Sequence, residues 1–179
     1  PESSHAIHTD PTALPLIRAA MGNTDKRIAQ DKPVTPAFIL AALLWPAVQQ
    51  EARHLQNRDE PPMTAMHNAA QQTIAEAAQH LSIPRRFSQP MREIWEFQLR
   101  LERRTGRRAA ELVDHRRFRA AYDFLLLREQ AGEETGDIGA WWTDFQELSP
   151  EQRLAEAASG AKREGKRHRP RRRRPNSKA

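Results

Sequence analysis

Five arginines crowd the segment "QLRLERRTGRRA" (residues 98–109), which otherwise has the composition of a helix. A single acid, Glu102, lies among them. The arginine side chain presents a planar fork of donors that binds phosphate oxygens through two hydrogen bonds at once. This spacing therefore indicates binding to a phosphodiester backbone. Gly106 is predicted to break the helix, so that arginines on both sides of the break converge on the same phosphodiester backbone.

The same reasoning extends to nearby arginines and to a basic run close to the carboxy-terminal end. Each phosphate that such residues neutralise releases counterions, so binding is expected to weaken steeply with salt. The predicted nucleic-acid-binding residues are Arg92, Arg100, Arg103, Arg104, Arg107, Arg108, Arg116, Arg117, Arg171, Arg172, Arg173 and Arg174.

The net charge of +6 is distributed unevenly along the 179 residues. Residues 84–128 carry twelve arginines against six acids, and residues 162–179 carry ten Lys or Arg against one acid. Residues 129–161 carry eight acids against one arginine. This segregation indicates a polyanionic partner for the basic segments. The structural alternative is that these arginines only solubilise a helix pair and bridge to the acidic residues 129–161.

No catalytic or metal-binding constellation is predicted. The chain has no Cys, which excludes disulfides and thiolate metal sites. It has no glycine-rich phosphate loop and no paired aspartates on a strand that could hold magnesium. His5 and His8 have a ligand-like spacing but lack a third ligand. Trp141 and Trp142 could stack on bases, but their acidic neighbourhood favours a place in the core.

Helix signals dominate the sequence, and no segment alternates as a strand would. We predict an all-α fold, an irregular helical bundle whose helices begin after the capping residues Thr35, Thr64, Ser88 and Ser149. Trp45 and Trp95 lie in apolar stripes and are assigned to the core. No apolar stretch approaches the roughly 18 residues that suggest a membrane span. A cytoplasmic location is expected.

Three segments are predicted: a helical body (1–83), an arginine-rich nucleic-acid-binding helical segment (84–160) and a disordered basic carboxy-terminal tail (161–179). From Ala161 onward the sequence has no apolar periodicity, which is typical of disorder in the free chain. Because the chain begins with Pro1 rather than Met, it is expected to be a fragment or a processed piece.

Several longer motifs resemble the carboxy-terminal half of bacterial poly(A) polymerases. They are "NTDKRIAQDKPVTPAFILAALLWPAV", "LSIPRRF", "REIWEFQLRLERRTGRRAAEL" and "HRRFRAAYDFLLLR", in the expected order within residues 14–148. The family is similar to the tRNA CCA-adding enzymes, which share its type of catalytic head and its helical body. The basic tail and "RFRAAYDFLLLR" favour the poly(A) polymerases.

The resemblance implies a whole protein that transfers AMP from ATP to RNA 3′ ends, with magnesium held by paired carboxylates in a head domain. No motif of that head occurs in this sequence, so no catalytic residue, ATP or magnesium site is assigned to this chain. What remains corresponds to the RNA-binding portion, with "QLRLERRTGRRA" as the family's basic RNA-binding helix. The expected partners are single-stranded RNA 3′ ends and RNA-decay proteins.

Two alternatives stay open. The chain could be a protein-interaction module that docks RNA-decay or RNA-chaperone partners, with RNA contact incidental. It could also be the equivalent part of a tRNA CCA-adding enzyme. An adenylyltransferase activity in this piece alone is not expected, since the resemblance implies a head domain for the chemistry.

Overall fold

A computed structural model describes residues 13–30 and 35–167, and every regular element in these ranges is an α-helix. This confirms the all-α prediction. The predicted residues Arg171, Arg172, Arg173 and Arg174 lie outside the described ranges. In chain order the helices are α1 (Ala13–Ala29), α2 (Pro36–Gln56), α3 (Pro62–His80), α4 (Arg85–Leu101), α5 (Arg107–Leu112), α6 (Phe118–Gln130), α7 (Ile138–Gln146) and α8 (Pro150–Arg167).

Helix α2 is the centre of a first hydrophobic core, on which α1, α3 and α4 pack. Its buried face is rich in alanine, which lets neighbouring helices approach closely, and it also contains Trp45 and Val48. Trp95 of α4 is fully buried in this core, and its indole N–H donates to the carbonyl oxygen of Ala41 at 3.1 Å. The core assignment of Trp45 and Trp95 is therefore confirmed.

A second, aromatic core is formed by the end of α4 together with α5, α6, α7 and α8. Trp142 is fully buried there, with Phe118 and Phe145 packed edge-on against its ring. Trp141 is half-buried and stacks on Phe145, with ring centroids 4.4 Å apart. These positions confirm that both tryptophans of α7 belong to the core.

Helices α4 and α6 contribute to both cores and therefore join them. Gln98 of α4 is buried between the two helices, and its amide donates to the carbonyl oxygens of Ile94 and Ala121 at 3.0 and 3.1 Å. Both bonds satisfy a polar group that would otherwise be costly to bury. The carboxy-terminal end of α4 is thereby held firmly.

The predicted boundary between the segments 1–83 and 84–160 falls between α3 and α4. The division into these segments stays a prediction.

Two of the four predicted helix starts are confirmed. Thr35 precedes α2 in an extended conformation, with Pro36 at the first helical position. Before α8, the Ser149 N–H donates to Gln152 Oε1 at 2.9 Å and the Gln152 N–H donates to Ser149 Oγ at 3.3 Å. This reciprocal pair is a capping box, which supports the predicted helix start at Ser149.

The other two predicted starts are wrong because each helix begins earlier, directly after a proline. Helix α3 begins at Pro62, so Thr64 lies within its first turn. Helix α4 begins at Arg85, so Ser88 lies inside the helix. The earlier start of α4 brings Phe87 into contact with the first core. Because Pro90 lies inside α4 and has no N–H, the helix lacks one backbone hydrogen bond there. The packing of Phe87 offsets this loss.

Helix α8 includes the first seven residues of the predicted tail, 161–167. Ala161, Lys162, Arg163 and Glu164 are good helix formers, and each residue added to an existing helix gains a backbone hydrogen bond. Apolar periodicity is not required for such an extension. The rest of the predicted tail, residues 168–179, lies outside the described ranges.

Candidate nucleic-acid interface

The arginine cluster, defined as Arg100, Arg103, Arg104, Arg107 and Arg108, surrounds the loop between α4 and α5. All five residues are exposed. Residues 102–106 form this α4–α5 loop, and Gly106 ends it with φ of +80°, a conformation that favours glycine. The predicted break at Gly106 is therefore confirmed. Exposed arginines from the end of α4, from the loop and from the start of α5 therefore lie around one short loop.

The positive charge of the cluster is hardly compensated by the protein itself. Arg107 pairs with Glu111 at 2.7 Å one turn later on α5, but both side chains are largely exposed. Such surface pairs contribute about 0–1 kcal/mol. Among the described residues, no carboxylate forms an ion pair with Arg103, Arg104 or Arg108. The cluster therefore presents guanidinium groups that a bound anion can reach.

Helices α7 and α8 hold the two ends of the α4–α5 loop. The indole N–H of Trp142 donates to the carbonyl oxygen of Leu101, the last residue of α4, at 2.8 Å. At the other end, the backbone N–H of Gly106 donates to the carbonyl oxygen of Ala157 in α8 at 2.9 Å. Sequence reasoning missed both contacts. Trp142 was expected in the core, but its hydrogen bond to the end of α4 had no sequence signal.

Three of the other predicted residues lie at or beside the part of α4 that is about two turns before Arg100. Arg116 and Arg117 both pair with Glu93, seven residues before Arg100 and so about 10 Å from it along the helix axis. The side chain of Arg117 is 30% exposed. Arg92 is half-buried on α4. These residues lie beside the cluster, and the paired Arg117 is less accessible to an anion than the cluster is.

Glu93 is the carboxylate around which these arginines are organised. Burial alone would raise its pKa, but hydrogen bonds from Gln89 and Arg117, with the positive charges of Arg117 and Arg116, outweigh that effect. The pKa of Glu93 is therefore lowered. The ion pairs join the start of α6 to α4 and partly compensate the charge of both arginines.

We expect Glu93→Gln to destabilise the protein near neutral pH by an amount that vanishes in acid. Because the folded-state pKa of Glu93 lies below the unfolded one, the carboxylate stabilises the fold above the ordinary glutamate pKa of about 4.3 and loses this effect as pH falls through the lowered value. Urea unfolding of both proteins from neutral to acidic pH measures the difference. Glu102→Gln, at an exposed glutamate just past the end of α4, is the matched control. A pH-independent difference would contradict the ion-pair explanation.

A scan against protein-family models matches residues 58–178 to the family described as polymerase A arginine-rich C-terminus. The match covers more than half of the chain and contains the whole arginine cluster. The chain belongs to this family.

Relatives of the polymerase A arginine-rich C-terminus family confirm the resemblance to poly(A) polymerases. Poly(A) polymerase I of Salmonella typhi is 36% identical over 166 residues, which cover 89% of this chain and 36% of that protein. Poly(A) polymerase I of Escherichia coli O6:H1 is 38% identical over 138 residues, 75% of this chain and 30% of that protein. The Haemophilus influenzae protein of the same name is 33% identical over 146 residues, which cover 80% of this chain and 32% of that protein. The chain thus spans about a third of the length of these relatives.

The structural alternative was that the arginines of residues 84–128 form ion pairs with the acidic residues 129–161. In the described part of the chain, one arginine does so. Among the described residues, Arg128 is the only arginine of residues 84–128 that pairs with a carboxylate of residues 129–161. Its partner is Glu133, at 2.9 Å. None of the described ion pairs joins the arginine cluster to the acidic segment.

Two features are absent from residues 13–30 and 35–167, the part of this family member that the structure describes. No group of three His, Asp or Glu side chains in those ranges is arranged to hold a metal ion. No helix there has the length and apolar character that crossing a bilayer requires.

Proposed function

We propose that this chain is the RNA-binding portion of a poly(A) polymerase and that the arginine cluster binds the backbone of single-stranded RNA. The observation that carries the proposal is the exposure of five guanidinium groups around Gly106, four of them, all but Arg107, without a described ion pair. Repulsion among five like charges disfavours such an arrangement unless a polyanion neutralises it. The family's description and the names of the relatives support RNA as that polyanion.

Arg92, Arg116 and Arg117 would extend the proposed surface along α4, and Arg171, Arg172, Arg173 and Arg174 would add contacts from the tail. The guanidinium of Arg100 lies 5.1 Å from the ring centroid of Phe97, which fixes its direction without neutralising it. The bonds from Trp142 and to Ala157 support the proposal further, because they hold the loop in place before RNA arrives. A surface that is already ordered loses less conformational entropy on binding.

We expect the chain to bind single-stranded RNA with a strong salt dependence. If the five arginines of the cluster each neutralise one phosphate, the slope of log K against log salt is about −3.5, so affinity falls about a hundredfold between 50 and 200 mM salt. Fluorescence anisotropy with a labelled RNA of about 16 nucleotides, in the range of single-strand binding sites, measures both quantities. Salt-independent binding, or no binding at the lower salt concentration, would overturn the proposal.

For the complete protein we propose AMP transfer from ATP to RNA 3′ ends, in the cytoplasm, with ATP and magnesium held outside this chain. The names of the relatives support this activity. The role of the described helices would be to keep the RNA near the catalytic head. Holding the strand raises the effective concentration of its reacting end.

A protein-interaction role is a second candidate, favoured by one face of α1. Leu14, Met21 and Ile28 repeat at intervals of seven residues, and each is at least half exposed. Large aliphatic side chains in such a row are typical of a surface that contacts another protein. An RNA-decay or RNA-chaperone partner held by this face would remain bound after nuclease treatment, whereas a partner bridged by RNA would be released.

A further inference from the structure

The α4–α5 loop rests on α8 at a point where α8 has no side chain. A Cβ atom added to Gly160 would lie 2.8 Å from Cγ2 of Thr105, closer than real contacts of this kind allow. One turn earlier on α8, Ala157 is fully buried and accepts the hydrogen bond from the Gly106 N–H. Small residues at positions 157 and 160 thus let the loop backbone lie directly against the helix.

This contact lies in the middle of the arginine cluster. Thr105 is flanked by Arg104 on one side and, after Gly106, by Arg107 on the other. Any displacement of Thr105 away from α8 moves the backbone that carries these arginines. It also lengthens the Gly106–Ala157 hydrogen bond, because Gly106 is the next residue. The guanidinium groups of Arg103, Arg104 and Arg108 are exposed and have no described ion pair that would keep them in place.

We propose that α8 is the positioning element of the arginine cluster, and that the close approach of Gly160 to Thr105 sets the arrangement in which the guanidinium groups bind one RNA strand. This inference rests on the RNA binding proposed above. Gly160 and Ala157 touch no RNA in this scheme and act only through the loop. Adjacent phosphates along a strand are joined covalently and can adopt only a limited range of spacings, so displaced arginines would contact fewer of them at once.

The test is a Gly160→Ala variant with a compensating second change. The added methyl group collides with Thr105 Cγ2, and Thr105→Ser removes that carbon while keeping the hydroxyl. We expect Gly160→Ala to weaken RNA binding about tenfold, as for loss of one charge-assisted contact, and to reduce the salt slope by about 0.7 per lost phosphate. The double variant should regain wild-type affinity and slope, and Thr105→Ser alone should bind as the wild type does.

Gly22→Ala is the matched control, because it also adds a methyl group to a helix but meets nothing within 4 Å. Its RNA binding should be unchanged. The salt slope separates positioning from mere loss of folded protein. Partial unfolding lowers the fraction of protein that binds but leaves the slope of the remainder intact.

The possible outcomes decide between the proposals. Wild-type affinity and slope in Gly160→Ala, or a folded double variant that binds as weakly as the single one, would overturn the positioning role. If Gly160→Ala fails to fold, as judged by circular dichroism, a folded double variant decides in the same way. Absence of salt-dependent binding in the wild type would instead overturn the proposed function itself.

Discussion

Replacing Arg103, Arg104, Arg107 and Arg108 with alanine is expected to lower the affinity for single-stranded RNA by a factor of several hundred at about 0.1 M salt. Each lost phosphate contact removes about 0.7 from the slope of log K against log salt, so the slope should fall by about 2.8. The fold should persist, because all four side chains are exposed and alanine favours helix. Anisotropy titrations at several salt concentrations, with circular dichroism on the same samples, measure both effects.

The control for this variant removes the same number of charges elsewhere. Arg18, Lys26, Arg53 and Arg58 are exposed on α1 and around the end of α2, and their replacement by alanine also lowers the net charge by four. If binding depends on the location of the cluster, the control should keep most of its affinity and its slope. Equal losses of affinity in both variants would mean that RNA binding depends only on the net charge of the protein. Loss of helical signal in the cluster variant would show that those arginines stabilise the fold.

Glu133→Ala is expected to destabilise the protein by about 2–3 kcal/mol without changing RNA binding. Glu133 accepts hydrogen bonds from Trp45 Nε1 at 2.8 Å, from Gln49 at 3.2 Å and from Arg128 at 2.9 Å. Removing the carboxylate leaves the buried indole N–H without an acceptor and Arg128, only 13% exposed, without its counter-charge. This expected loss is smaller than that for breaking a fully buried ion pair, because the Glu133 side chain is 28% exposed to solvent.

Urea unfolding at neutral pH measures this difference, with Glu134→Ala as the matched control. Glu134 is the exposed neighbour, and its replacement should change the unfolding free energy by less than about 0.5 kcal/mol. A Glu133→Ala protein as stable as the control would show that the network contributes little. Reduced RNA affinity of fully folded Glu133→Ala would contradict the separation between this network and the arginine cluster.

The sequence predicted the features that depend on local pattern. Trp45 and Trp95 were assigned to the core from apolar stripes, and the start of the last helix was predicted from the capping residue Ser149. The starts of α3 and α4 were placed too late because a local cap was favoured. The structure begins α4 one turn earlier, where the partly buried Phe87 packs against the first core.

The arginines of the candidate site could be predicted from the sequence, but the contacts that hold them in place could not. Arginine spacing and a glycine indicated a cationic surface on both sides of a helix break, which Gly106 provides. The pairing of Arg117 with Glu93 was not predicted, because the two residues are 24 positions apart and meet only when α6 packs on α4. The bonds from Trp142 and to Ala157 depend on the same long-range packing. Periodicity within one segment carries no information about such contacts.

Fixing the α4–α5 loop at both ends has a consequence for how this surface can change during evolution. An insertion or deletion within residues 102–106 would separate either Leu101 from Trp142 or Gly106 from Ala157, so the length of the loop is constrained. The exposed side chains that it carries face no such restriction. Lineages can therefore gain, lose or shift individual cations at little cost to folding, and so tune how tightly a strand is held while the scaffold stays the same.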